Sequence, residues 1–190
     1  ALLGGGGLGA AAFSQDQTLT RRIEAGPDGY AGIAFSGHAG VCGSGFSLLR
    51  VGSTPFDGGD WSYRYSDDGG RCEPGMVRVL LRRVAGRVAT VRIGMGTVVW
   101  PEGTTDLGVV SGRSAAAYLF DLASRTDGRV GRDALMAGAL ADSADSWRGL
   151  LDLARNGRLS RGLRESAASW AGRDPALQGT AAPTIATSLM

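Results

Sequence analysis

Alternating apolar positions dominate the first part of the chain. The clearest case is the stretch MVRVLLRRVAGRVATVRIGM, in which Val77, Val79 and Leu81 alternate with the residues between them and Ala85-Gly86 interrupts the pattern. Such alternation is typical of two strands joined by a tight turn, so this stretch predicts a β-hairpin. Shorter runs bounded by Gly, Asp and Pro predict further strands in YAGIAFS, GFSLLRV and WSYRY, and edge strands in TVVW and TDLGVV.

A different period begins at Ser111. From there the apolar residues recur three or four positions apart, which is the spacing of an amphipathic helix. Four helices are predicted, in SGRSAAAYLFDLASR, GRDALMAGALAD, DSWRGLLDLARNG and LSRGLRESAASWAGR. Ser111 is placed to cap the first helix, and Asn156-Gly157 to end the third in a left-handed conformation. A further short helix, capped by Asp16, is predicted in DQTLTRRIEAG.

These patterns predict an α+β protein, in which a small antiparallel β-domain is followed by two αα-hairpins. The β-rich domain, with its short N-terminal helix, covers residues 15–110, and the helical domain covers residues 111–173. Residues 1–14 form an apolar segment, and residues 174–190 have no periodicity and are predicted to be an extended tail. The helix pairs resemble HEAT repeats in their length and in the small residues at their crossings.

The charge balance excludes one class of partner. The 190 residues carry a formal net charge of +2, which is too small for a protein that binds nucleic acid mainly through electrostatics. Every basic residue other than the single histidine is an arginine. The composition therefore also excludes lysine chemistry, such as Schiff-base formation or a P-loop.

The apolar segment ALLGGGGLGAAAFS indicates where the protein acts. Its Gly4, Gly6 and Gly9 match a dinucleotide-binding fingerprint by spacing, but that fingerprint requires a strand before it within a βαβ unit. An uncharged run followed at once by QDQTLTRR is instead typical of the hydrophobic part of an export signal. We expect an exported chain whose first segment stays at or in a membrane, where Gly and Ala permit close approach of neighbouring helices. The predicted location is periplasmic and membrane-associated.

The two cysteines, Cys42 and Cys72, each lie in a glycine-rich turn. In an exported protein such a pair predicts a disulfide. Two thiols do not complete a zinc site, and no C-x-x-C-H sequence for haem attachment is present.

Candidate catalytic residues are few. His38 lies four residues before Cys42, so a Cys–His nucleophile pair, or His38 with an Asp, would make the protein a secreted hydrolase. We favour a turn histidine beside a disulfide-bonded cysteine. Acidic pairs in FDGGDW and SDDGGR are better explained as solvated turns than as a calcium loop or a carboxylate pair. We therefore predict no catalytic residue, no metal ligand and no cofactor.

Arginines recur every three residues across the turn that precedes the last predicted helix. They form either a basic ridge that meets lipid phosphates or an acidic partner, or an ordinary solvated face. Apolar residues near both chain ends are the other candidate contacts. The predicted partner-binding residues are Leu2, Leu3, Phe13, Arg155, Arg158, Arg161, Arg164, Ile185, Leu189 and Met190.

The β-rich half and the segment ADSADSWRGLLDLARNGRLSRGLRESAASW resemble small secreted bacterial proteins that join such a domain to HEAT-like helices. With its membrane-suited first segment, the chain is also similar to the membrane-extrinsic polypeptides that hold a bacterial photosynthetic reaction centre within its light-harvesting ring. The resemblance implies a non-catalytic scaffolding subunit bound to a membrane protein complex, with lipid headgroups as possible further contacts. A free-standing periplasmic module that binds a ligand or peptide is the remaining alternative.

Overall fold

The computed structural model describes residues 18–39, 41–46, 48–51, 54–55, 73–143 and 145–173. Within these residues the chain is α+β. The strands are β1 Gly29–Ser36, β2 Val41–Ser44, β3 Leu48–Val51, β4 Thr54–Pro55, β5 Glu73–Pro74, β6 Met76–Val84, β7 Arg87–Met95 and β8 Thr105–Val109. The helices are α1, residues 18–24, then α2 Gly112–Arg125, α3 Gly128–Ala139, α4 Ser146–Arg155 and α5 Arg161–Ala171.

The main sheet has the strand order β7-β6-β1-β8. β6 is antiparallel to both β1 and β7, whereas β8 lies parallel to β1 at the edge. β6 and β7 form the predicted hairpin, and its turn has positive φ at Ala85 (52°) and Gly86 (74°), as in a type I′ turn. The Asp28 carboxylate accepts hydrogen bonds from the backbone N–H groups of Ala85 (2.7 Å) and Gly86 (3.0 Å). These bonds fix the turn against the loop that follows α1.

A smaller sheet has the order β4-β3-β2-β5. It joins the main sheet beyond the end of β2, where the backbone N–H of Met95 donates to the carbonyl of Gly45 at 2.8 Å. The strands of this sheet are short, and the sheet packs beside β7 at the edge of the main sheet.

The helices cover one face of the main sheet, which is called the inner face below. Ile33, Val79 and Ile93 lie side by side in one row of this face, and each is at most 2% exposed. The same hydrophobic core continues into the apolar sides of the helices, where Leu119 and Leu135 are also fully buried. The change of period at residue 110 therefore separates two kinds of secondary structure that share one core.

Close helix packing depends on two glycines. α2 packs against α3 and α4 against α5, with further contacts between α2 and α4 and between α3 and α5. Phe120 of α2 lies in a slot between Gly138 of α3 and Gly149 of α4. A Cβ atom at Gly138 would lie 2.6 Å from the phenyl ring, and one at Gly149 would lie 2.5 Å from it. Only glycine leaves room for the ring at these positions.

Among the predicted helix boundaries inside the described residues, that of α2 is confirmed and that of α4 is wrong. Ser111 caps α2, and its side chain accepts a hydrogen bond from the Ser114 backbone N–H at 3.1 Å. The left-handed stop after α4 is wrong, because Asn156 has extended backbone angles (φ −74°, ψ 97°). Its side-chain oxygen accepts from the Arg158 backbone N–H at 3.0 Å, so an Asx-type bond turns the chain instead.

The predicted edge strand TVVW is also wrong. Residues 98–100 cross the second face of the main sheet, called the outer face below, rather than extending an edge. A Cβ at Gly32 would lie 2.9 Å from the Trp100 ring, and one at Gly94 would lie 2.8 Å from Val98. Because these glycines leave space above the sheet, the apolar residues pack there. The other predicted edge strand, TDLGVV, contains β8.

Several predictions fall on other parts of the chain. The strand WSYRY, the helix cap Asp16, the apolar segment 1–14 and the tail 174–190 lie outside the described residues. Among the helices that the structure describes, none combines the length and apolarity needed to cross a bilayer.

Candidate functional site

The connection between α4 and α5 presents three of the predicted arginines. Two local hydrogen bonds fix its shape: the Asn156 side chain accepts from Arg158, and Ser160 caps α5 by accepting from the Leu163 backbone N–H at 3.4 Å. Arg155 is in the last turn of α4 and Arg161 is in the first turn of α5. The three arginines Arg155, Arg158 and Arg161 are all exposed and are called the basic turn below.

The arginines of this region differ in their partners. Arg161 forms an ion pair with Glu165, with 2.7 Å between Nε and Oε1, and this hydrogen bond raises the pKa of the guanidinium. For Arg155 and Arg158, no acidic oxygen of the described residues lies within 4.0 Å of the guanidinium. Arg164 is half-buried, and its Nε has no hydrogen-bond partner in the described part of the chain. In this region, Arg155 and Arg158 therefore carry the exposed guanidinium groups that remain available to bind an acidic partner.

The basic turn is anchored to the connection between α2 and α3. One oxygen of Asp127 accepts hydrogen bonds from the Ser160 hydroxyl (2.8 Å) and from the Gly128 backbone N–H (2.7 Å). These bonds lower the pKa of Asp127, first through Gly128 and then through Ser160, with a smaller effect of Arg132. The starts of α3 and α5 therefore meet, and the exposed Arg132 of α3 lies at the same end of the helical layer. Sequence reasoning missed Arg132, because it lies more than twenty residues before Arg155 in the chain.

Cys42 is disulfide-bonded. It stands opposite Pro74 in the pairing of β2 with β5, and Cys72 is two residues before Pro74 in the sequence. Cys72 itself lies outside the described residues, so the pairing of the two cysteines stays a prediction that the register of β5 favours.

His38 lies in the loop after β1 and is half-buried. Its backbone N–H donates to the Leu140 carbonyl at 3.0 Å, and its ring Nδ1 donates to the Ala39 carbonyl at 2.8 Å. The loop is thus tied to the chain that follows α3, where the backbone N–H of Asp142 also donates to the Ser36 carbonyl at 2.8 Å. Because a disulfide-bonded cysteine has no thiolate, the structure does not bring a Cys–His nucleophile pair together here.

Two kinds of site remain to be described, namely metal sites and the predicted contacts at the chain ends. Among the described residues, no group of three or more His, Cys, Asp or Glu side chains is arranged to hold a metal ion. The predicted contacts at the chain ends lie outside the described residues, and they are Leu2, Leu3, Phe13, Ile185, Leu189 and Met190.

Comparison with known proteins adds no relative. No protein-family model matches the chain, and neither the curated proteins nor the solved structures contain a significant match to it. The geometry of the described residues therefore carries the functional conclusion.

Proposed function

We propose that this protein is a non-catalytic structural subunit on the extracytoplasmic face of a membrane protein assembly, and that the basic turn contacts an anionic surface of that assembly. The observation that carries the proposal is the pair of exposed arginines, Arg155 and Arg158, whose guanidinium groups have no described acidic partner within 4.0 Å. Both are held on a turn that hydrogen bonds fix to two packed helices. Because the backbone of this turn is already ordered, binding costs less conformational entropy, and the unpaired charges favour contact with an acidic partner.

The state of Cys42 supports the extracytoplasmic location. Disulfides form and persist in oxidising compartments such as the periplasm, whereas cytosolic thiols are kept reduced. The disulfide at Cys42 therefore fits an exported protein better than a cytosolic one.

The same disulfide weighs against the first alternative, a secreted hydrolase that uses His38 with Cys42. The nucleophile of such an enzyme is a thiolate, and the Cys42 sulfur is already bonded. His38 is held by backbone contacts on both its N–H and its ring, which is the arrangement of a structural turn residue.

We further propose that the helical layer is HEAT-like, with α2 and α3 as one αα-hairpin and α4 and α5 as the second. Contacts between α2 and α4 and between α3 and α5 support a stack of two pairs. In such a stack the connections between the helices of each pair lie at one end. The hydrogen bond from Ser160 to Asp127 joins those two connections and so supports this arrangement.

The specific form of the proposal places the protein on a photosynthetic reaction-centre and antenna complex. This more specific proposal rests on the resemblance of the sequence. The absorption spectrum of the captured partner distinguishes it from the broader proposal of a subunit on some other membrane protein assembly. Bacteriochlorophyll bands in the captured complex would support the specific form, and a colourless membrane complex would contradict it.

Capture from membranes tests the proposal. Membranes of cells that produce the tagged full-length protein are solubilised in a mild detergent at low salt, and the captured species is weighed by native mass spectrometry. We expect a stable complex for the natural protein. The double variant Arg155→Gln/Arg158→Gln should reduce the captured partner by about tenfold or more, since two charge-assisted contacts are lost.

The matched control is Arg21→Gln/Arg87→Gln, which removes equal charge from two exposed arginines outside the helical end. It should capture the partner as the natural protein does. Equal losses in both double variants would indicate a general charge effect and contradict a role for the basic turn. A protein that stays alone in the aqueous fraction would contradict the assembly-subunit function and favour the free-standing binding module.

A further inference from the structure

The outer face of the main sheet carries a polar cluster that sequence reasoning did not predict. The pairing of β1, β6 and β7 places Tyr30, Arg82 and Thr90 side by side in one row. In the next row Gly32, Leu80 and Arg92 are neighbours. Side chains that share a face and are diagonal neighbours across two strands lie about 7–8 Å apart at their Cα atoms. Arg82 and Arg92 are such diagonal neighbours, and Thr90 is on the same face, directly opposite Arg82 and two residues before Arg92 on β7.

The groups of this cluster are unpaired within the described residues. Arg82 and Thr90 are exposed, and the side chain of neither makes a hydrogen bond or an ion pair to a described residue. Tyr30 is half-buried, and its hydroxyl has no such partner either. Arg92 lies with its guanidinium carbon 4.5 Å from the centroid of the Phe46 ring, which holds the cation without neutralising it.

The carboxylate on the neighbouring edge strand is already engaged. Asp106 stands opposite Gly32, on the far side of β1 from β6 and β7. Its oxygens accept hydrogen bonds from the Trp100 ring N–H (3.2 Å) and from the Gly108 backbone N–H (2.8 Å). Asp28, at the hairpin turn, is likewise engaged by two backbone N–H groups. Both carboxylates keep their charge, but neither forms an ion pair with Arg82 or Arg92, so the guanidinium groups of these two arginines stay without an acidic partner among the described residues.

A third arginine of the outer face, Arg78, differs from Arg82 and Arg92 because its side chain is hydrogen-bonded. Arg78 donates through Nε to the Gly96 carbonyl at 2.8 Å and lies over the Trp100 ring at 5.9 Å. Its role is to hold residues 96–100 against the sheet. The side chains of Arg82 and Arg92 have no comparable hydrogen bond among the described residues, so their N–H groups stay available to a ligand.

We propose that Tyr30, Arg82, Thr90 and Arg92 form a binding site for a tetrahedral dianion of the phosphate or sulfate class. Two guanidinium groups match a charge of −2, and the hydroxyls of Thr90 and Tyr30 donate to the oxygens that the arginines leave free. A carboxylate has one charge and two oxygens, so it would leave part of the cluster unsatisfied. The site is on the sheet and does not involve the basic turn, so it stands independently of the proposed function.

Titration of the full-length protein with inorganic phosphate at low ionic strength, followed by calorimetry, tests the site. We expect saturable binding with one site per chain. Arg82→Gln and Arg92→Gln should each raise the Kd by about tenfold or more, and Thr90→Val by a smaller factor, because a guanidinium contact is stronger than a hydroxyl contact. Circular dichroism of each variant shows that the fold is kept, which is expected for exposed positions.

Two control variants separate the site from general charge effects. Arg132→Gln removes an exposed arginine of α3, and Arg21→Gln removes an exposed arginine of α1. Both should bind phosphate as the natural protein does. If phosphate does not bind in a saturable way, or if Arg82→Gln binds it no more weakly than Arg132→Gln, the site is refuted.

Four further titrations under the same conditions distinguish the source and the class of the anion. Sulfate and a phosphate monoester should compete with inorganic phosphate if the ligand is a small molecule. Vesicles that contain phosphatidate should bind the natural protein, and not Arg82→Gln, if the ligand is a lipid phosphate, and that outcome also supports the site. Tighter binding of acetate than of phosphate would overturn the assignment to a tetrahedral dianion.

Discussion

The inner and outer faces of the main sheet are built from the same strands but are covered in different ways. On the inner face, Ile33, Val79 and Ile93 form a row of branched aliphatic side chains beneath the helices. On the outer face, the adjacent row is Ala34, Arg78 and Gly94, and the described residues that cover it are 96–100 and Phe46.

The difference shows two ways to bury a sheet. The inner face excludes water by close packing of large apolar groups, and its stability grows with the area that it buries. The outer face instead lacks side chains at its glycines, so that a loop with Val98 and Trp100 can lie directly on the backbone. That loop covers only part of the face, and the exposed arginines lie where it does not reach.

The largest effect is expected from Phe35→Ala, on the inner face. Phe35 is fully buried, so its truncation removes apolar contacts and leaves a cavity under the helices. We expect a loss of about 3–5 kcal/mol in the free energy of unfolding, measured by denaturant titration. The matched control is Val99→Ala on the outer side, where Val99 is 87% exposed and little change is expected. Similar losses in both variants would remove the distinction between the faces.

A smaller effect is expected from Gly32→Ala, on the outer face. The new Cβ would lie 2.9 Å from the Trp100 ring, so the loop must shift away from the sheet. We expect a loss of about 1–3 kcal/mol, together with a change in tryptophan fluorescence as Trp100 moves.

Gly162→Ala is the control for that substitution. Gly162 lies in α5 with nothing within 4 Å of a new Cβ, so alanine should stabilise the helix by up to about 1 kcal/mol. A stable Gly32→Ala protein with unchanged fluorescence would show that the loop does not depend on the glycine.

The core between the inner face of the sheet and the helices contains a buried hydroxyl group, which tests whether an unpaired polar atom lowers stability there. Tyr118 of α2 is buried, and its hydroxyl has no hydrogen-bond partner among the described residues. Burial raises the pKa of this tyrosine well above its usual range, so the hydroxyl stays protonated. We expect Tyr118→Phe to leave stability unchanged or to raise it by up to about 1 kcal/mol in denaturant unfolding, because a buried orphan hydroxyl is removed. A clear loss of stability would indicate that the hydroxyl has a partner after all.

The weakest effect is expected at the hairpin turn, where both faces end. The pKa of the Asp28 carboxyl is lowered, first by the hydrogen bond from Gly86 and then by that from Ala85. A carboxyl whose pKa is lower in the folded state stabilises the fold above its unfolded pKa, which is about 3.9, and loses that contribution as the pH falls through its folded pKa. The melting temperature should therefore decrease on acidification below about pH 4.5 by a smaller amount in Asp28→Asn than in the natural protein.

Asp152→Asn serves as the control for the acid titration, because Asp152 is exposed and its side chain has no hydrogen bond to a described residue. Its melting curve should follow that of the natural protein at each pH. Identical pH dependence in Asp28→Asn would mean that the turn does not rely on the charged carboxylate.

Much of the secondary structure follows from local patterns. The alternation around Val77 and the turn at Ala85-Gly86 specify β6 and β7, since a period of two and a two-residue turn leave few other arrangements. Ser111 marks the start of α2, because its hydroxyl supplies a partner for a free N–H at the helix end. The pattern of TVVW is equally apolar, yet it forms no strand. Its position depends on glycines more than sixty residues away, in the case of Gly32, and no local pattern encodes that contact.

The two candidate sites also differ in how much of each is visible in the sequence. The spacing of Arg155, Arg158 and Arg161 is visible in the sequence, because one turn carries all three. The bond between Ser160 and Asp127, which anchors that turn, joins residues 33 positions apart and appears only in the folded chain. Tyr30, Arg82 and Arg92 come together solely through strand register, so the outer-face cluster has no sequence signature.

By itself, the sequence determined the α+β class, the main hairpin and the helices that follow residue 110, because each depends on periodicity or capping within one segment. Tertiary structure alone decided that the helices and the main sheet share one core, that residues 98–100 lie on the outer face, and that two arginines of neighbouring strands meet there. Those features depend on which surfaces touch and in which register. Contacts between distant segments are set by the packing of the whole chain, which no single stretch specifies.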